Sequence, residues 1–213
     1  MTESDLLAAL REHRAVAIVR GRDAAAALDS VLTLAGEGVG LIEVSLSSTG
    51  AWDVIASARP RLGDGVRLGV GTVLTEADAR RAAGEGAAFV VTPAATAGAA
   101  AARQLGLAVL EGAHSPSEVL AAHLAGSAAV KLFPASLGGP GYVSALRDPF
   151  PEIPLVPVGG VALELVGEYL AAGAVAVGIG SPLLGDAAHG GDRAALAARA
   201  RRLLAALHEL GPA

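Results

Sequence analysis

Eight times along the chain, a short apolar, β-branched run leads into Gly, Pro, Ser or Thr, and an Ala/Leu/Arg/Glu-rich helical stretch follows. The runs are Ala15–Arg20, Gly40–Leu46, Arg67–Val73, Ala87–Pro93, Leu107–Ala113, Ala128–Pro134, Pro154–Gly160 and Ala174–Ser181, and their starts lie 20 to 27 residues apart. That spacing is the length of one strand plus one crossover helix, and parallel strands need such crossovers. Strands covered by helices read as nearly continuous apolar runs. Eight even βα units predict a (β/α)8 TIM barrel in one domain over residues 1–213. A doubly wound sheet is the competing arrangement. Ser4–His13 predicts an extra leading helix with Ser4 as its N-cap. Asp192–Leu210 predicts a closing amphipathic helix, and Leu137–Gly141 is a loop too short to link two domains.

Composition narrows the function classes. Of 213 residues 53% are hydrophobic and 17% charged, enough to bury a large core and against disorder. The net charge of −5, with no local basic patch, speaks against nucleic acid and anionic membranes as partners. There is no cysteine, which removes thiol nucleophiles and Cys-ligated metals. The five histidines (His13, His114, His123, His189, His208) have no ligand spacing, so no metal site is expected. Mean hydropathy is +0.53, yet the two long uncharged stretches, 86–102 and 169–185, are 17 residues each and carry Pro93 and Pro182. Both are shorter than the span of about 20 apolar residues a bilayer needs. Each is expected to be a buried strand beside a helix. The opening residues carry Glu3 and Asp5 and no apolar signal core, so the default location is cytoplasmic.

Function on a barrel sits at the C-terminal ends of the strands. The sixth run holds Lys131, the only lysine; the other 15 basic residues are arginines. Arginine serves almost everywhere a surface lysine could, but it cannot lose its proton. Strand alternation sets Lys131 and Phe133 opposite Val130 and Leu132. If the latter pair faces the helices, Lys131 points into the barrel. Burial there would favour the neutral amine, a nucleophile toward carbonyls. The bland alternative is a lysine paired with a carboxylate as a strut. The same parity aims Glu43, Ser45 and Ser47 inward and Ile42, Val44 and Leu46 outward. Glu43 could relay protons beside an iminium or simply form an ion pair. Gly159-Gly160 closes the seventh run. Gly180-Ser181-Pro182 closes the eighth and opens a helix, with Ser181 expected as N-cap. Loops in these two places form the usual phosphate cradle of the fold, or else only tight turns.

These residues resemble the 2-keto-3-deoxy-6-phosphogluconate/4-hydroxy-2-oxoglutarate aldolase family over nearly the whole chain. The segments that carry the resemblance are Ala17-Ile18-Val19-Arg20-Gly21, Ile42-Glu43-Val44-Ser45-Leu46, Gly69-Val70-Gly71-Thr72-Val73-Leu74, Thr92-Pro93, Lys131-Leu132-Phe133-Pro134-Ala135, Gly159-Gly160 and Gly180-Ser181. The resemblance implies a class I aldolase that needs no cofactor and no metal, releases pyruvate and D-glyceraldehyde 3-phosphate from a phosphorylated keto acid, and assembles as a homotrimer. It implies Lys131 as the imine-forming residue and Glu43 as general acid/base. Gly71 and Thr72 would hold the pyruvate carboxylate, with Pro93 lining that pocket. Phe133, in the lysine motif, belongs to the same substrate site. Gly159, Gly160, Gly180 and Ser181 would bind phosphate, and Arg20 would face an acidic substrate group at the mouth.

Ser47 stands where gluconate-type members carry Arg, and Val158 where they carry Thr. Both changes, with the segment Gly138–Tyr142, look more like the branch acting on 2-dehydro-3-deoxy-6-phosphogalactonate, the C4 epimer. Losing a hydroxyl at Val158 removes a contact that could read C4 stereochemistry. Glu111 replaces a common Pro and is open to two readings, tuning Lys131 or facing a helix. His114 is expected at a strand end, solvated or at the mouth. The rival within the chemistry is cleavage of 4-hydroxy-2-oxoglutarate to pyruvate and glyoxylate, with oxaloacetate decarboxylation beside it. The rival outside it is a phosphate-binding barrel without imine chemistry, an isomerase, synthase or binding protein.

Overall fold

A computed structural model describes residues 1–211. Helices and strands alternate as α1 Glu3–His13, β1 Ala15–Val19, α2 Ala24–Gly36, β2 Leu41–Ser45, α3 Ala51–Ala58, β3 Arg67–Gly71, α4 Glu76–Gly84, β4 Phe89–Val91, α5 Ala97–Gln104, β5 Ala108–Ala113, α6 Pro116–Leu124, β6 Ala129–Leu132, α7 Gly139–Arg147, β7 Leu155–Pro157, α8 Val166–Ala171, β8 Val177–Ile179, α9 Ser181–Leu184 and α10 Arg193–Glu209. All paired strands are parallel, in the order β7-β6-β5-β4-β3-β2-β1-β8, and a bridge between Val158 and Gly178 brings the two edges together. The expected TIM barrel is present, and the doubly wound alternative is excluded by this cyclic order.

Two apolar layers follow from strand alternation. Ile42, Val44, Val90, Val109, Val130, Leu132 and Leu155 pack outward with the helices. Val16, Ile18, Leu41, Phe89, Leu110, Val156 and Val158 fill the barrel. Leu6 and Leu10 of α1 are buried in this inner cluster, against β1, β2 and β5. The first helix therefore plugs the N-terminal mouth, and the C-terminal mouth is the one left for a site. The uncharged stretches resolve into β4 with α5, and β8 with its neighbouring helices. Among the described residues no helix is long and apolar enough to cross a membrane.

Several boundaries differ from expectation. The cap of α1 is Thr2, not Ser4: Thr2 accepts from the Asp5 N–H while Asp5 accepts from the Thr2 N–H, a reciprocal box that a serine inside the first turn cannot form. α9 starts one residue early, so Gly180 is its N-cap and Ser181 its first residue. The Gly-rich stretch 137–141 is not an open loop, because α7 begins at Gly139. The closing helix is as expected within a residue, capped by Asp192 on the N–H groups of Ala194 and Ala195.

Candidate active site

The strand ends of β1, β6, β7 and β8 surround a cavity of about 550 Å³ at the C-terminal mouth. Arg20, Lys131, Phe133, Gly159, Gly160, Gly180 and Ser181, all singled out from sequence, line it. Ser47 and Val158, the two departures, line it as well. The charged side chains on its wall are Arg20, Arg22 and Lys131, with no carboxylate among them.

Lys131 faces inward because its register partners do. It pairs with Gly112 on one side and Val156 on the other, while Val130 and Leu132 sit in the outer layer. Its side chain is buried (6% exposed), with Nζ 5.4 Å from the centre of the Phe133 ring. Among the described residues no carboxylate lies within the 4 Å of an ion pair with it. The strut alternative thus lacks its partner.

Glu43, 1% exposed, pairs in register with Ile18 and Gly69. Its carboxyl lies across Gly71, where an added Cβ would stand 1.6 Å from Glu43 Oε1. A side chain at position 71 would occupy the space of the acid. Burial raises the Glu43 pKa above its ordinary value, opposed by the positive charges of Lys131 and Arg20. Glu43 is therefore within the electrostatic reach of the amine without being bonded to it.

Glu43, Gly71, Thr72 and Pro93 are not on the cavity wall itself. Thr72 has φ +61°, a left-handed conformation that costs a β-branched residue on the order of 1–3 kcal/mol. Its hydroxyl is 2.8 Å from Ser45 Oγ, which is 2.8 Å from Ser47 Oγ. This three-hydroxyl chain runs from the strained turn, through the fully buried Ser45, to the cavity wall. Pro93 is held against Gly112, where a Cβ would meet the Pro93 carbonyl carbon at 2.1 Å. Gly112 being the register partner of Lys131, Pro93 sits one strand behind the lysine. Thr92 is buried and donates to the Ala94 carbonyl, so it fastens this turn.

Gly159 and Gly160 have φ of +90° and +79°, a conformation glycine alone adopts cheaply. A Cβ on Gly159 would meet the Phe133 ring at 2.9 Å. The first-turn N–H groups of α9 have no intrahelical acceptor, as at any helix start.

Glu111 faces a helix, not the cavity. It is the register partner of the outward Val130 and forms an ion pair with Arg103 of α5, with Ser127 Oγ 2.9 Å from the guanidinium. His114 is half-buried and not on the cavity wall: its ring lies 5.3 Å from that of Tyr142, whose hydroxyl donates to the His114 carbonyl. Sequence reasoning missed Arg22 and His189, which also line the cavity. No local pattern marks His189, which meets Arg22 across 167 positions of chain. Among the described residues no three His, Asp or Glu side chains are grouped to hold a metal ion.

A family model for KDPG and KHG aldolases matches residues 6–197. A probable 2-dehydro-3-deoxy-6-phosphogalactonate aldolase of Rhizobium meliloti (strain 1021) is 34% identical over 183 residues, 85% of this chain and 86% of that protein. A 2-dehydro-3-deoxy-phosphogluconate aldolase of Pseudomonas aeruginosa is 35% identical over 166 residues, 76% of this chain and 74% of that protein. The solved structure described as native KDPGal superposes with a TM-score of 0.85 at 30% identity, over 92% of this chain and 95% of that one. With nearly the full barrel matched and a third of the residues shared, the chain belongs to the KDPG and KHG aldolase family.

Proposed function

We propose that the chain is a class I aldolase acting on a 2-keto-3-deoxy-6-phospho sugar acid, with Lys131 as its Schiff-base residue. The observation that carries this reading is the sole lysine, buried and, among the described residues, unpaired by any carboxylate, on the wall of a cavity whose charged lining is cationic. Such a cavity suits a substrate that is an anion at both ends.

In the proposed reaction the neutral Lys131 amine attacks the C2 ketone. The carbinolamine loses water to give an iminium. Glu43 removes the C4 hydroxyl proton, the C3–C4 bond breaks, and its electron pair flows into the iminium to form an enamine. D-Glyceraldehyde 3-phosphate leaves. The enamine is protonated at C3, and hydrolysis releases pyruvate and the free amine. Burial raises the Glu43 pKa, which makes its carboxylate a stronger base than an exposed one. The strained Thr72, tied through Ser45, is in the role of a carboxylate anchor, with Gly71 and Pro93 beside it. Gly159, Gly160, Gly180 and Ser181 would hold the phosphate, and Arg20 would balance the substrate's charge.

Val158 lines the cavity with methyl groups, packed beside Gly178. A wall without a hydrogen-bonding atom there supports relaxed or galactonate-type selectivity at C4. Turnover of the two epimers measures it, and dependence on the phosphate separates this reading from 4-hydroxy-2-oxoglutarate cleavage. The expected assembly is a homotrimer and the expected location the cytoplasm.

The test is borohydride reduction with pyruvate, followed by mass mapping. The expected result is one adduct, on the peptide that holds Lys131, absent from Lys131→Arg, which is also inactive. Unmodified protein that still turns over substrate, or an active Lys131→Arg, rejects imine catalysis.

A further inference from the structure

Two segments far apart in sequence reach the cavity wall, Arg20-Gly21-Arg22 after β1 and, through His189, the turn Ala187–His189 after α9. They are locked together. A Cβ on Gly21 would lie 2.1 Å from the Ala188 carbonyl oxygen, so only glycine permits this approach. Gly21 is further pinned by its N–H on Ser48 Oγ at 3.1 Å and by the Thr49 N–H on its carbonyl at 3.1 Å. Ala187 and Ala188 are buried, so the turn that presents His189 is anchored in the core. The Arg22 N–H donates to His189 Nδ1 at 3.2 Å. An Nδ1 that accepts leaves the proton of the neutral ring on Nε2, which is then a donor.

We propose that His189 is a specificity-determining residue, donating from Nε2 to the anionic tail of the substrate. The assignment rests on the reading of the substrate as a 6-phospho keto acid. The keto carbon must reach Lys131, which is buried at the strand end; the far end of the chain must then face the exposed rim, where His189, Arg22 and Ser181 gather. Arg20 is on the same wall, and its positive charge also acts on Glu43. His189 is held by backbone on one nitrogen and free to bond with the other. Little side-chain freedom is lost when it binds, which is what makes a rim contact effective.

The experiment compares kcat/KM for a 6-phospho-2-keto-3-deoxy sugar acid with that for its dephosphorylated counterpart, in wild type, His189→Ala, His189→Gln and His189→Glu. Wild type should prefer the phosphorylated substrate. In His189→Ala that preference should fall roughly 5- to 20-fold, the size of one hydrogen bond to a charged group at a wet rim, and mainly through KM. His189→Gln keeps a donor at similar reach and should retain most of the preference; the isosteric His189→Glu, an acceptor carrying negative charge, should lose more than Ala. The Gln–Glu pair keeps the test alive if Ala does not fold. A preference within twofold of wild type in Ala and Glu, or equal losses for both substrates, overturns the assignment alone. A wild-type preference near one overturns the phosphate reading and this assignment with it.

Discussion

Replacing Gly71 by Ala tests whether the position of one carboxyl controls the chemistry. Gly71 ends β3 in ordinary extended backbone, so alanine fits its dihedral angles. The new methyl, however, would stand 1.6 Å from Glu43 Oε1 and 2.3 Å from its Cδ. A relaxed contact needs about 3.5 Å, so the carboxyl must retreat by about 2 Å. The clash falls on the end of the Glu43 side chain, so it is relieved by moving the acid itself. Overpacking of this kind costs about 1–3 kcal/mol, which for a chain of this size lowers Tm by about 2–10 °C. The catalytic effect should be larger in proportion. A misplacement of about 1 Å can cost about 10²-fold, and general acid–base catalysis contributes about 10²–10⁴-fold in all. We expect kcat for cleavage to fall about 10²–10⁴-fold while most of the protein stays folded. Gly69→Ala is the control. Gly69 pairs in register with Glu43, but its Cβ would meet the Phe89 ring at 2.4 Å, so the clash falls on a ring and not on the carboxyl. It should lower Tm comparably and kcat far less. Steady-state kinetics with thermal unfolding on both variants decides. If folded Gly71→Ala keeps kcat within threefold of wild type, or Gly69→Ala loses as much, the placement of Glu43 is not what drives the reaction.

Two further perturbations probe buried charge. Because burial raises the Glu43 pKa, the folded chain binds that proton more tightly than the unfolded one; the resulting stabilisation is full below about 4.5 and is lost as pH rises through the raised value. Glu43→Gln does not titrate, so its stability relative to wild type should climb with pH across that window, by at most about 1.4 kcal/mol per pH unit; urea midpoints at about pH 4, 6 and 8 that show no climb, or a decline, contradict this. Arg103→Leu strands Glu111, whose side chain is 5% exposed, without its partner. The expected loss is about 3–5 kcal/mol, most of it restored in Arg103→Leu/Glu111→Leu, with kcat little changed because the pair faces the helices; a mild single variant or a double variant no better than the single would refute it.

Much of the architecture was legible because it is written in local rules. Eight apolar runs at even spacing force eight crossovers, and strand alternation assigns Lys131 and Glu43 to the interior without any knowledge of their neighbours. The same rule puts Glu111 outward once its register against Val130 is known, but register is a pairing between strands and is not written in either one. The caps at Thr2 and Gly180 lie one or two positions from the residues that sequence favours, because several polar or small residues compete at each helix start and only hydrogen-bond geometry chooses among them. What the chain alone determined, then, is the barrel, its parity and the single amine inside it. What required the tertiary structure is everything that joins segments remote in sequence: the carboxyl laid over Gly71, the hydroxyl chain from Ser47 through Ser45 to Thr72, and the Arg22 amide that fixes His189. Periodicity reports which face a side chain takes, because successive side chains of a strand alternate; it carries no information about which other segment, on another strand or 167 residues away, will be closed against it.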